Sequence, residues 1–235
     1  MLARKIFVLA SSLKNKHRCI AGREVSTDEY GQNRFGFWIR PVSEHDSGAV
    51  SLAECRMDDN QIPSALDVIE IQTGPYEADP LQPENWIIQQ DLTWHHATCW
   101  RAEVAANLVE EPLSLWLEPG IETDRVTSQY LGAQKELQSL YLVRPDSFEI
   151  HIRTDRWEGE EKKKRRAVFH YNDICYDLAL TDPSISDKYF PNFHHEPDRI
   201  VHLRNEGNCL LCISYTADEY QQGYHFKVVA SVIEL

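Results

Sequence analysis

Short runs of apolar residues, separated by polar and proline-rich stretches, recur along most of the chain. RKIFVLA (4–10) is a compact apolar run rich in Ile, Phe and Val and predicts a buried strand. Residues 18–24 and 35–42 predict two more strands around a polar loop at 25–34, the second stopped near Pro41. LDVIEIQ (66–72) alternates and reads as a strand, whereas Pro75, Pro80 and Pro83 make 74–84 a loop. Ser51 and Glu54 have the spacing of a capping box and predict a short helix over 52–56.

The middle of the chain changes period. Trp100, Val104 and Leu108 recur at helical spacing, so 98–109 predicts a helix capped by Thr98. Pro112 opens a second helical turn through Leu117, and 126–137 fits helix or strand. Strands return at 140–145, 148–154, 165–171, 175–181, 209–215 and 224–233. Phe148, Ile150 and Ile152 alternate with Glu149, His151 and Arg153, the mark of a half-exposed antiparallel strand. Asn172-Asp173 marks a hairpin turn, and Pro183 and Ser184 start a short helix ending near Tyr189. Strands mostly follow strands, and no Gly-rich loop opens a helix. A mainly β protein results, as two small barrels or one larger mixed sheet, with a helical connector or insertion at about 95–138.

Charge adds an asymmetry to this picture. Formal net charge is −13, which argues against a protein that coats nucleic acid nonspecifically. Residues 1–42 nevertheless carry eight Lys or Arg against three Asp or Glu, so either a localised anion site fits the N-terminal part or these bases pair with nearby carboxylates. Trp38 and Arg40 share parity on the third strand, beside Gly36. If Phe37 and Ile39 enter the core, Trp38 and Arg40 face a groove, where a ring stacks on a base and a guanidinium meets a phosphate. The alternative places Trp38 in the core under the helical connector, with Arg40 ion-paired beside it.

Other candidates are weaker. EGEEKKKRR (158–166) is half acidic and half basic, either a self-neutralised hairpin tip or a finger touching phosphates through Lys162 to Arg166. Ser11, Ser12 and Lys14 resemble a Ser-Lys nucleophile pair, but the segment reads as solvated, which leaves the lysine charged and suits anion binding better. The pairs His95-His96 and His194-His195 do not chelate from a regular strand, and Cys209 and Cys212 in an apolar run read as packed thiols, so no metal is expected. Walker, dinucleotide, nucleophile-elbow and zincin motifs are missing from the sequence, and no catalytic residue or cofactor is assigned. With six cysteines, no leader pattern and no apolar run of about 18 residues, a cytoplasmic chain with free thiols and no membrane span is expected.

CIAGREV…GFWIRPVS, followed by LDVIEI, QPENWII, LVRP, LALTDP and GYHFKVVASVI, resembles the bacterial dual-OB-domain family over almost the full chain. LASSLKNKHRCIAG plus WIRPVS is its most specific part. The resemblance implies two OB-like barrels, placed at 1–143 with the helical insertion and at 144–235. OB barrels commonly bind oligonucleotides on the face of strands 2 and 3. By position, the family's motif residues match Ser12, Lys14, Arg18, Gly22, Trp38, Arg40, Asn85, Thr181, Asp182 and Lys227. The family's settings suggest bacterial defence or nucleic-acid processing. This chain departs at Asp218 and Glu219, where a Gly-Glu-Pro-Phe-like turn is usual, and in LASS for LANS.

The expected function is noncatalytic binding of single-stranded nucleic acid or a nucleotide-like anion through Ser12, Lys14, Arg18, Trp38, Arg40, Asn85, Asp182 and Lys227. Two alternatives stand beside it. One is an adaptor docking a protein partner from the same operon. The other is a nucleotide-acting enzyme using Asp182 or the Ser12 and Lys14 pair.

Overall fold

A computed structural model describes residues 2–44, 48–76, 79–157, 160–204, 208–217, 219–220 and 223–235. The expectations placed on residues 158–159 and on Asp218 lie outside the described residues.

Six strands form the first sheet: β1 (Leu2–Lys14), β2 (His17–Thr27), β3 (Asn33–Val42), β4 (Asp67–Tyr76), β5 (Asn85–Ile88) and β6 (His95–Cys99). Their order is β1-β2-β3-β5-β4-β6, and β1 also pairs with β4, which closes the first five into a barrel. β3 and β5 run parallel and the other pairs antiparallel. The apolar run of β1 is continuous because both of its faces are buried. Ile6 and Val8 enter the barrel with Ile20, Ile39, Ile69, Ile88 and Trp94. Phe7 and Leu9 point outward into a second cluster with Leu140, Leu142, Leu210 and Ala230. Asn15 and Lys16 turn the β1–β2 hairpin with φ of 49° and 68°, the geometry of a two-residue primed turn. At Gly22 an added Cβ would stand 2.0 Å from the Phe7 carbonyl oxygen, so only glycine fits beside the irregular register of β1.

After β6 come α1 (Ala102–Ala106), β7 (Arg125–Thr127), α2 (Ser128–Gly132) and β8 (Leu140–Val143). The second sheet adds β9 (Ser147–Trp157), β10 (Glu160–Tyr171), β11 (Ile174–Leu180), β12 (Arg199–Val201), β13 (Cys209–Tyr215) and β14 (Tyr224–Glu234), with α3 (Pro183–Tyr189) after β11. Its order is β12-β9-β10-β11-β14-β13-β8, and β7 pairs with β14. The run β9-β10-β11-β14-β13 repeats the order β1-β2-β3-β5-β4, including the parallel third pair, β11 with β14. Among the described residues β9 and β13 do not pair, and β12 and β8 continue the sheet beyond them. The fold is mainly β with OB-like barrels. β7 and β8 precede residue 144 and pair with strands that follow it.

The helical expectations shrink. Residues 95–99 form a strand on β4, and Thr98 lies opposite Val68 rather than capping a helix. α1 begins later, after Arg101, with no side-chain cap. No helix covers 112–117; instead the carbonyl of Pro112 accepts from the Tyr171 hydroxyl and the N–H of Leu115 donates to the Tyr176 hydroxyl. Ser51 and Glu54 do make their reciprocal bonds, but over a turn. At 95–99 and 112–117 a partner distant in sequence supplied hydrogen bonds that helical spacing alone does not reveal.

Candidate functional site

A cavity of about 370 Å³ lies between the outer wall of the first barrel and the second sheet. β1 contributes Ala10, Ser12, Leu13 and Lys14, β2 contributes Cys19 and Ala21, and β3 contributes Arg40 and Val42. Facing them are Thr181, Ser214, Tyr215, Val228 and Ala230 from the second sheet. Asp79, Gln82 and Asn85 close one side. Backbone contacts fix this seam: the N–H of Leu13 donates to the Thr181 carbonyl at 3.0 Å, and the N–H of Ser11 to the Ser231 hydroxyl at 3.2 Å.

Arg40 is the charged centre of one wall. It is 7% exposed. Its Nη2 donates to the Ser214 Oγ at 2.9 Å and its Nη1 to the Asn85 Oδ1 at 3.5 Å. Both acceptors are neutral, and among the described residues no carboxylate lies within ion-pair reach of the guanidinium. Asn85 is aligned by a long bond to Gln82, whose amide donates to the Tyr215 carbonyl at 3.2 Å. The parallel pairing that sets Arg40 opposite Asn85 brings together two side chains 45 positions apart. Apolar walls from Ala10, Ala21, Leu140 and Val228 surround this polar strip.

Of the eight sequence candidates, Ser12, Lys14, Arg40 and Asn85 line the cavity together, and Thr181 joins them. Four others are placed elsewhere. Trp38 does not offer a stacking surface: it is 5% exposed, its Nε1 donates to Glu110 at 3.0 Å, and it packs with Ala105 and Leu140. The parity argument fails because the outer face of β3 is as buried as its inner face. Phe37, expected in the core, is instead 84% exposed. Arg18 lies one residue from the cavity lining, and its Nη1 makes a long 3.5 Å bond to the Ser11 carbonyl. Asp182 is a structural cap, accepting from the N–H groups of Ser184, Ile185 and Val232, so it pins α3 to β14. Burial raises its pKa, against the lowering pull of those three N–H groups and of Arg18. Lys227 points into the second sheet's core, 6.0 Å from the Tyr176 ring, and among the described residues its Nζ has no hydrogen-bond partner. Burial pushes its pKa down to about 8, opposed by the charges of Asp124 and Glu118.

Gln82, Ser214 and Tyr215 belong to the site and went unmarked in the sequence. QPENWII carried Asn85 as a motif residue, and Gln82 stands three positions before it, the one signal available. Ser214 lies inside an apolar run that reads as core.

The remaining candidates are structural. Within the described part of the charged hairpin Lys162 pairs with Glu160, while Lys163 pairs with Asp198 and Arg166 with Asp177 outside it. His95 bonds Asp58, and His96 lies 2.8 Å from Asp59. Burial raises the thiols of Cys209, to about 12, and of Cys212, consistent with packed and inert side chains.

The family described as dual OB-containing domain matches residues 4–232. A search of curated proteins finds no match. A solved structure titled as a murine DNA binding protein bound with double-stranded DNA aligns over 100% of both chains at 10% identity and a TM-score of 0.32, a likeness too slight to argue from.

Proposed function

Given that the chain belongs to the dual OB-containing domain family, we propose that it binds a nucleotide-like anion in the cavity between its two sheets. The observation that carries this reading is Arg40, a buried guanidinium bordering a cavity with neutral partners alone among the described residues. Burying a cation without a counter-charge is costly, and protein interiors normally supply one. A bound phosphate supplies it here, as guanidinium and phosphate match in geometry and charge. Ser12, Thr181 and Asn85 offer neutral hydrogen bonds, and the apolar walls take a sugar or base.

Size favours a mononucleotide over a strand threaded through the seam. Ligand pockets run from about 300 to 1,000 Å³, and this one, about 370 Å³, sits at the small end. Nucleic acid then enters as a terminal or extruded nucleotide. Calorimetric titration with nucleoside mono-, di- and triphosphates, beside short single-stranded DNA and RNA, tests the reading. Mononucleotide binding lost in Arg40→Met supports it; equal binding by Arg40→Met overturns it. If strands bind instead, log K should fall with log salt by about 0.7 per phosphate contact.

A further inference from the structure

A second cavity, of about 340 Å³, opens at the end of the first barrel where β1 begins. Arg4 shares parity with Ile6 and Val8, so its side chain enters the barrel end. There its guanidinium lies 3.5 Å from the centre of the Trp86 ring and pairs with Glu24 at 2.5 Å. Phe37 and Tyr76 line the same cavity; Phe37 is 84% and Tyr76 47% exposed. The Tyr76 ring packs on Trp86 with centroids 4.8 Å apart.

The charges around these rings decide what fits. Glu24 and Glu84 line the cavity against the single cation Arg4. Glu84 is buried, and its oxygens accept from the N–H and hydroxyl of Ser139 at 2.7 and 2.6 Å. No cation pairs with it among the described residues. A phosphate brought here would meet two carboxylates on a protein of net charge −13, so nucleic acid is disfavoured. Aromatic faces beside carboxylates suit the opposite ligand, a cation whose stem packs on rings. Arg4 on Trp86 is an intramolecular instance of that contact.

We infer that this mouth docks a lysine or arginine side chain from a basic segment of a partner protein, seated between Phe37 and Tyr76 and facing the Glu24 and Glu84 carboxylates. The site shares no lining residue with the interbarrel cavity, and the inference stands whether or not nucleotides bind there.

The test is NMR titration of the whole protein with acetyl-Gly-Arg-Gly-amide, and with the same peptide carrying citrulline, which keeps the shape and removes the charge. The arginine peptide should shift the Phe37, Tyr76 and Trp86 signals at low-millimolar concentration, and the citrulline peptide should not. Phe37 is solvent-exposed, so Phe37→Ala keeps the fold; it should weaken binding about two- to fivefold, the range of an exposed cation–π contact. Phe37→Trp should tighten it. Equal shifts from citrulline, no shift from arginine, indifference to Phe37→Ala, or displacement of the peptide by a single-stranded oligonucleotide would each overturn the inference.

Discussion

The outer wall of the first barrel and the core of the second sheet each bury a cation, and they do so differently. Arg40 on the wall borders a cavity and holds Ser214 and Asn85. Lys227 in the core packs near Tyr176, and among the described residues its Nζ bonds nothing. Neither has a carboxylate in ion-pair reach among the described residues. The strand order explains the division of labour. β1 pairs with β4 to complete the first barrel, so its backbone is satisfied internally and its outside is available as a wall. The second sheet supplies the facing wall, from β13 and β14. A buried charge beside space can be neutralised by a ligand, whereas one sealed in a core can only lose its proton or weaken the fold.

Replacing each cation separates the two cases. Arg40→Met should remove nucleotide binding, a loss of about 2–5 kcal/mol if the phosphate contact is a buried charge pair, read by calorimetry. It should leave the fold intact or firmer, because an apolar residue of similar length replaces an uncompensated charge. Weaker binding accompanied by lower stability would merge the two regions into one structural role and end the comparison.

Lys227→Met should stabilise the protein without touching nucleotide affinity. The lysine pKa falls from 10.5 to about 8 on folding, which at about 1.4 kcal/mol per pH unit corresponds to about 3 kcal/mol. The sign follows from proton counts. Below pH 8 both states hold the proton and the native state carries the full penalty. Between pH 8 and 10.5 the unfolded state holds more of it, so stability rises with pH. The buried thiols lower both profiles alike as pH rises, so the gap between the denaturant midpoints of Lys227→Met and the native sequence should close across that window. A gap that stays constant with pH would show that Lys227 finds a partner.

Much of the fold was legible in the sequence, and its limits have physical causes. CLLCISY matches β13 residue for residue, and the helix starting at Pro183 ends at Tyr189. Asn172 and Asp173 both take positive φ in the β10–β11 turn, as their types suggest. β5, β6 and β12 escaped notice, and β7 opens a stretch that fitted helix or strand, because such short strands carry little alternation. The site was half legible: Ser12, Lys14, Arg40 and Asn85 converge, but they converge on a seam between two sheets, and a single-strand parity argument has no way to include a second covering layer. That layer is what buries Trp38.

Trp38 therefore becomes a smaller, structural test of the wall. Its indole N–H bonds Glu110, whose same oxygen also accepts from the Leu142 N–H of the second sheet. Trp38→Phe keeps most of the packing and deletes that donor. It should cost about 1 kcal/mol of stability in denaturant melts and leave nucleotide binding unchanged. A large binding defect would return the ring to the ligand.

The smallest expected effect concerns the charged hairpin, a weaker candidate for a phosphate contact than Arg40. Lys162 and Lys164 are exposed, and Lys162 lies 3.4 Å from Glu160. Exposed ion pairs contribute about 0–1 kcal/mol and are screened by salt. Lys162→Gln with Lys164→Gln should thus change neither stability nor nucleotide affinity beyond a few tenths of a kcal/mol. The same pair of substitutions also measures whether polymers use a different surface. If oligonucleotide affinity drops and its salt slope falls by about 0.7 for each lysine removed, the hairpin is a strand contact and the seam holds one nucleotide of that strand. If affinity and slope stay put, all phosphate recognition resides where a guanidinium is both buried and beside space, on the outer wall of the first barrel.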